Sequence, residues 1–504
     1  MRYLILFLLV LVGCGTNPVT GENELQLISE QEEVQIGEQN YSYLQQADGG
    51  GYVADPSVEA YVQRVGMKLV AVSDRPNLPY EFVVLDNSIP NAWSLPGGKI
   101  AINRGLLVEL EDEAELAAVL GHEIVHSAAR HGAQMMERAL LMQAGLSGLG
   151  GLLQGNQYED IVMGTASTGA GLAQLKYSRN AELEADQYGI KYMVAAGYDP
   201  EAAVDIQKTF LKLADNRDPN WLEGFLATHP PSRERIAANQ ATAALYPKGG
   251  IRNRQEYEKA IAHLKETAPA FHKLDQGYAA LVKGRAPTAL RLADEGIAIE
   301  PREGHLYNLR GKAVAKLGNP KEALDSFDQA IRCNPYYFDF YLQRGLMEQK
   351  LGQYHPAQID LERSVRLLPS ADAHYGLGEI ALAQGHQQNA YYHFRIAAQA
   401  NSPTGEQARQ RLASAHQPES LSQALYAKVI LRGGHFDLIV SNNTGGSVRD
   451  ILVEVDFLDR SGRLLERQTY MFQGKLSTGN QARQTFSLPR KTSNATARII
   501  QARF

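Results

Sequence analysis

Apolar residues Leu116, Ala117, Leu120, Ile124 and Val125 recur at helical spacing with no proline among them, so the pattern predicts one helix over 113–131. Ser178 opens a second helical pattern, Arg179-Asn180-Ala181-Glu182-Leu183-Glu184-Ala185-Asp186, and Ser29 opens a polar helix upstream. The runs 80–85 and 99–102 read as strands joined through the segment 91–98. Near the end of the chain the period shortens to two. Ile451, Val453, Val455 and Phe457 fall on one strand face, between turn signals at 442–446 and 459–462. Several short strands from about 427 to 504 predict a small all-β sandwich, immunoglobulin-like in kind, that serves as a structural cap or a second docking surface.

The middle of the chain is periodic. Gly277, Gly311, Gly345 and Gly378 recur at spacings of 34, 34 and 33, with Ala289, Ala323, Ala357 and Ala390 in the same register. Pro301, Pro335 and Pro369 close three of the units. This is the tetratricopeptide period, in which small residues sit where paired helices touch and proline ends the second helix. The stacked helices of such a solenoid form a concave surface that binds protein.

These patterns predict a multidomain chain. It has an α+β domain over 29–245, a linker helix over 246–269, an all-α tetratricopeptide solenoid over 270–415 and the sandwich over 427–504. A length of 504 residues suits about three domains, and 44% hydrophobic with 21% charged residues is ordinary globular composition. The net charge of −6 and the absence of a basic run give no reason to expect nucleic acid. The stretch 144–172 holds eight glycines among small and apolar residues, which suits a mobile lid, a membrane-touching stretch or close helix packing equally.

Within the first helix, His122 and His126 lie four residues apart and share a face, so both imidazoles can aim at one metal ion. Glu123, beside the first histidine, can take a proton from an attacking water while staying off the metal. A catalytic zinc needs three protein ligands and an open fourth position. Glu182 is the candidate third ligand, with Glu184 as the alternative, and Asp186 suits an acceptor for a ligand imidazole N–H. Taken alone, that acidic cluster would be a solvated helix start at the positive end of the dipole.

The helix with His-Glu-Ile-Val-His, the later Ser-Arg-Asn-Ala-Glu-Leu-Glu-Ala-Asp and the preceding Asn-Ala-Trp-Ser-Leu-Pro-Gly-Gly at 91–98 resemble metallopeptidase family 48 over residues 20–245. The tetratricopeptide array that follows points to its BepA-like branch, beside the Oma-like one. The resemblance implies a gluzincin, an α+β zincin with one zinc ion per chain. His122, His126 and Glu182 would hold the zinc, Glu123 would act as general base and Asp186 would orient a ligand. It also implies that His229, in the segment Thr228-His229-Pro230-Pro231-Ser232-Arg233, caps the zinc as an auto-inhibitory fourth ligand; otherwise it is a loop histidine before a turn. Asn91, Ala92 and Trp93 should line the cleft, where a substrate peptide adds as an extra strand. The implied role is that of an endopeptidase acting in the periplasm on misfolded or stalled envelope proteins, in outer-membrane protein quality control, with the array engaging clients and assembly machinery. The alternative is a tetratricopeptide assembly chaperone whose protease site is normally silent. The relatives of this branch do not generally carry the sandwich.

The N-terminus is a targeting segment. Met1-Arg2 is a basic start, and 3–12 is an apolar run too short to span a bilayer. Leu11-Val12-Gly13-Cys14 resembles the bacterial lipobox, so cleavage after 13 would leave a lipidated Cys14 followed by a tether over 14–28. Multiple acyl chains would anchor the chain firmly, and Gly15 after the cysteine favours the periplasmic face of the outer membrane. The alternative is a plain secretory signal. With Cys14 lipidated, Cys333 has no partner for a disulfide.

Overall fold

Hairpin pairing begins the described residues: β1 (Cys14–Thr16) runs antiparallel to β2 (Asn23–Leu25). The computed structural model describes residues 14–147, 177–216, 229–414, 425–432, 434–442, 446–459, 463–489 and 492–503; the predicted signal segment and most of the glycine-rich stretch 144–172 lie outside them. The expectation of an extended tether over 14–28 is corrected by contacts that bind this stretch to the first domain. Asn17 Nδ2 donates to Ala129 O at 3.1 Å, and Glu137 accepts the Leu27 and Ile28 N–H groups at 2.9 and 3.0 Å.

Helix α1 (Glu30–Ala47) starts from a capping box of Ser29 and Glu32, and α2 (Pro56–Val70) from Asp55 with proline at its first position. A three-stranded sheet follows, with β3 (Glu81–Leu85) parallel to β5 (Lys99–Asn103) and β4 (Ala92–Leu95) antiparallel to β5 on its other side. The segment expected only to join two strands is therefore itself an edge strand. Gly97 and Gly98, at φ of 78° and 83°, supply the left-handed turn that sends it back.

Short α3 (Arg104–Leu107) leads into α4 (Glu113–Ala128), capped by Asp112 and buried along its whole length. The helix predicted over 113–131 ends early, because Arg130 adopts φ of 62° and α5 (His131–Ser147) begins anew. That conformation is held by a buried cluster of charge. Arg130 pairs with Glu33 through Nε and with Glu24 and Glu137 at 3.2 and 3.3 Å. Then come α6 (Arg179–Ala195), α7 (Glu201–Asn216) and α8 (Arg233–Ala243). Val62, Leu69, Val84, Ile102, Leu116 and Leu120 join residues of α6 and α7 in one core around α4.

The chain divides into two compact units, Met1–Leu351 with Arg363–Pro369, and Gly352–Glu362 with Ser370–Phe504. In the first, α9 (Arg254–Ala260) donates the buried Tyr257 hydroxyl to Leu107 O at 2.6 Å. The first repeat helix, α10 (Ala262–Val282), begins earlier than position 270 and is followed by α11 (Ala286–Ile299), α12 (Gly304–Lys316), α13 (Pro320–Cys333) and α14 (Phe338–Lys350). The recurring glycines do what the period predicted: a Cβ on Gly277 would stand 2.3 Å from Leu309, and one on Gly311 2.4 Å from Phe327. These repeats bind the first domain through backbone. Gln46 donates to Tyr336 O and accepts from Phe338 N, both at 2.8 Å, and His305 Nε2 lies 2.9 Å from Gly49 O.

Helix α15 (Tyr354–Leu367) is shared between the units. In the second unit, α16 (Ala371–Ala383) packs on α17 (Gln387–Ala397) through Gly378 and Phe394, and α18 (Pro403–Ser414) follows. Strands β6 (Leu425–Arg432), β7 (His435–Asn442), β8 (Val448–Leu458), β9 (Leu464–Leu476), β10 (Gln481–Ser487) and β11 (Asn494–Arg503) form two sheets, ordered β10-β7-β6 and β11-β8-β9. Ile451, Val453, Val455 and Phe457 are buried against Phe436, Leu438 and Val440 of the facing sheet, as the alternation predicted. Among the described residues no helix is long and apolar enough to cross a membrane.

Candidate metal centre

Helix α4 aims two imidazoles at one point. His122 Nε2 and His126 Nε2 lie 3.0 Å apart, one turn from each other on the helix. Their other ring nitrogens face away: His122 Nδ1 is 3.0 Å from Asp186 Oδ1, and His126 Nδ1 is 2.8 Å from His131 Nδ1. Glu182, in the first turn of α6, stands 3.5 Å from Nε2 of both histidines. The two helices come this close because Gly121 and Gly189 face each other where they cross.

His229 completes the group. Its Nδ1 lies 3.0 Å from Glu182 Oε1 and 3.3 Å from His122 Nε2, and its Nε2 lies 3.6 Å from Glu123 Oε1. His122, His126, Glu182 and His229 are all buried, and each offers a ligand atom within 4.8 Å of the others. Three imidazoles and one carboxylate are a donor set that suits a borderline-soft divalent metal. Glu182 is set up as an anionic ligand: its buried Oε2 pairs with Arg235 Nη1 at 2.9 Å, and its Oε1 lies 3.0 Å from His229 Nδ1. A carboxylate must be deprotonated to bind a metal.

The charges around the group reinforce one another. Burial opposes the His122 imidazolium, but hydrogen bonds and charge from Asp186 and Glu182 outweigh it and push its pKa up to about 10. Burial, with His122 and His131 alongside, holds His126 well below the ordinary histidine value. Burial also opposes the Asp186 carboxylate, yet Arg235, with bonds of 2.7 Å to both its oxygens, keeps it below the usual range. Glu182 is likewise held low against burial, chiefly by His229 and His122.

Glu123 sits beside the ligands, buried, and accepts a hydrogen bond of 2.9 Å from Ser94 Oγ of β4. Of the residues expected to line the cleft, Ala92 shares by alternation the strand face of Ser94, and Trp93 does not. Trp93 turns to the opposite face of the strand, where its indole donates to Asp48 at 3.0 Å and meets Tyr41 edge-on. The strand's backbone is what borders the site. Asn91 O accepts from Asn103 N at 2.8 Å, so by alternation Ala92 and Ser94 turn their backbone groups to the edge that no described strand pairs, where Tyr177 Oη donates to Ser94 O at 3.4 Å.

Four residues outside the expected set belong here: Ser94, His131, Tyr177 and Arg235. Tyr177 stacks on the His126 ring at 3.8 Å between centroids. Glu184, the alternative third ligand, turns instead to His131 Nε2 at 3.3 Å. A third histidine five residues past His126 and an arginine just past the His-Pro-Pro turn were the available signals. The side chain of Cys14 lies outside the described residues.

The matched segment coincides with this geometry: the model of peptidase family M48 covers residues 56–243, the stretch that supplies all four clustered side chains. The chain carries a peptidase family M48 domain. Tetratricopeptide repeat models match 274–338 and 342–406 behind the M48 domain. The beta-barrel assembly-enhancing protease of Escherichia coli K12 is 29% identical over 240 residues, covering 45% of this chain and 46% of that protein. The mitochondrial metalloendopeptidase OMA1 of Arabidopsis thaliana is 33% identical over 166 residues, covering 33% of this chain and 32% of that protein. The chain thus spans less than half the length of these relatives. A solved tetratricopeptide protein of Thermus thermophilus matches 36% of this chain and 91% of its own at 23% identity, with a TM-score of 0.27. The M48 domain is of the metalloprotease kind, and M48 proteases are metal-dependent.

Proposed function

We propose that this chain is a zinc endopeptidase of the bacterial cell envelope that cleaves misfolded or stalled outer-membrane proteins. The observation that carries the reading is the convergence of His122, His126 and Glu182 on one point with Glu123 alongside. Two imidazoles and a carboxylate leave one position for substrate. Zinc held there would polarise the scissile carbonyl and acidify water. Glu123, oriented by Ser94, takes the proton of the attacking water and later delivers it to the leaving amine. Asp186, held by Arg235, keeps His122 turned to the metal. A substrate peptide adds along the edge of β4, paired to the backbone of Ala92 and Ser94 in place of the Tyr177 hydroxyl that stands 3.4 Å from Ser94 O.

The lipobox-like Leu11-Val12-Gly13-Cys14 supports an acylated Cys14 on the periplasmic side of the outer membrane. The name of the Escherichia coli relative supports clients among outer-membrane β-barrels and contact with their assembly machinery through the repeats. A second reading, an assembly chaperone with a silent protease, is favoured by one observation: His229 stands among the ligands. Glu123→Gln separates the two. Loss of casein cleavage and of cellular function with zinc retained supports the protease, and full cellular function in that variant supports the chaperone. The same protein, used as a trap and analysed by mass spectrometry, identifies clients. Membrane release of Cys14→Ser tests the anchor.

A further inference from the structure

An imidazole can ligate through Nε2 only while its proton sits on Nδ1. His126 turns Nε2 to the metal group, so its Nδ1 must be the donor. The atom 2.8 Å from it is not a carboxylate, as beside His122, but His131 Nδ1. Two nitrogens at that distance share one proton, and it must belong to His126. His131 therefore accepts at Nδ1 and carries its own proton on Nε2, where Glu184 Oε1 lies 3.3 Å away to receive it. Every donor in this chain has an acceptor, and only in one sense.

The backbone is arranged to produce this contact. In an unbroken helix a residue five positions after His126 would stand roughly 140° around the axis from it. The left-handed Arg130, held by Glu33, Glu24 and Glu137, breaks the helix and turns His131 back onto His126. His131 is buried and Glu184 partly exposed, so the order of the relay runs from the metal group to solvent.

We infer that His131, oriented by Glu184, is a positioning residue that fixes the Nδ1–H tautomer of His126 and keeps Nε2 open to the metal. The inference rests on the zinc reading of His122, His126 and Glu182.

Zinc affinity, measured on the full chain by competition with a chelator, tests it without reference to activity. His131→Leu removes the acceptor and should weaken zinc by roughly 10- to 100-fold. His131→Asn places a carbonyl oxygen near the position of Nδ1 and should restore most of that affinity. Glu184→Lys, at a partly exposed position, puts a donor against His131 Nε2, favours the opposite tautomer and should also weaken zinc. Wild-type affinity in His131→Leu overturns the inference, as does equal weakening by Leu and Asn, which would mean packing and not the acceptor matters. If the leucine variant does not fold, the other two decide: wild-type affinity in Glu184→Lys, or lost affinity in a folded His131→Asn, overturns it. Failure of the wild-type chain to bind zinc would instead defeat the proposed function.

Discussion

Gly121 and Gly189 meet where α4 crosses α6, so closely that a Cβ on Gly189 would stand 3.1 Å from His122 N and one on Gly121 3.2 Å from Gly189 O. This contact sets the distance between the helix that carries His122 and His126 and the helix that carries Glu182 and Asp186. Glycine inside a helix costs about 0.5–1 kcal/mol relative to alanine, so its use at both positions marks a closeness that a side chain would prevent.

Gly189→Ala should therefore separate two effects. The helix gains propensity while the crossing is pushed apart by a few tenths of an ångström, with overpacking of about 1–3 kcal/mol opposing the gain. Thermal stability should change by only a few degrees, at about 2–4 °C per kcal/mol. Zinc affinity and cleavage should fall several-fold, because a displacement of ~1 Å in a catalytic group can cost about 10²-fold. Wild-type cleavage in a folded Gly189→Leu would show that the crossing does not control the site.

Removing Glu182 should act differently. Glu182→Ala takes away the carboxylate that three histidines and Arg235 surround. Three imidazoles, His122, His126 and His229, then remain without their anionic partner, so zinc should be held more weakly than in His229→Ala, which keeps the carboxylate, and purified protein should carry less than the wild type's content of about one ion per chain. Arg235→Ala should keep more zinc, since it touches the carboxylates of Glu182 and Asp186 and offers no ligand atom itself. Elemental analysis of both proteins checks the order.

Much of this was legible in the chain because it is local. A four-residue spacing puts His122 and His126 on one face whatever the tertiary structure does, and a 34-residue period repeats its packing glycines at every turn of the solenoid. The missed residues depend on contacts between distant elements. Ser94 reaches Glu123 only because β4 packs one face on α4, and nothing local distinguishes 91–98 from a loop between strands. Periodicity carried the predicted helix through 131, since an arginine at 130 reads as helix former until Glu33, nearly a hundred positions upstream, claims its guanidinium. The stretch 14–28 reads as a tether for the same reason: its partners Ala129 and Glu137 lie more than a hundred residues away.

Acidity offers a third check, away from the metal. Burial, with Asp112 and Glu111 beside it, pushes the Glu115 carboxyl up to about 7, against the Glu111 N–H that donates to it at 2.7 Å. An unfolded glutamate titrates near ~4.3. Between these values the folded state binds the proton more tightly, so this group's contribution to stability is fully present below about pH 4 and is lost as pH rises to about 7. Glu115→Gln keeps an acceptor for Glu111 and cannot ionise. It should melt several degrees higher than wild type at pH 8 and about equal to it at pH 4.5, at about 2–4 °C per kcal/mol. An equal shift at both pH values would assign the effect to packing.

His229 provides the last expectation. It is 3% exposed, with Nδ1 at 3.0 Å from Glu182 Oε1 and Nε2 at 3.6 Å from Glu123 Oε1, so one ring stands against both a ligand and the general base. Substrate and His229 cannot occupy that position together. Pro230 and Pro231 stiffen the segment that presents the ring, and the helix after them is capped by Ser232 accepting from Arg235 N at 3.1 Å. Opening therefore moves the His-Pro-Pro turn against the start of α8. Each 1.4 kcal/mol by which the closed arrangement is favoured hides about a factor of ten in activity. His229→Ala should keep its zinc, held by the remaining three ligands, and cleave casein several-fold to about tenfold faster than wild type. A variant that is no faster defeats the gate. A variant that is inactive with zinc bound would instead make His229 a donor to the oxyanion, and the peptide would then have to enter beside the ring and not in its place.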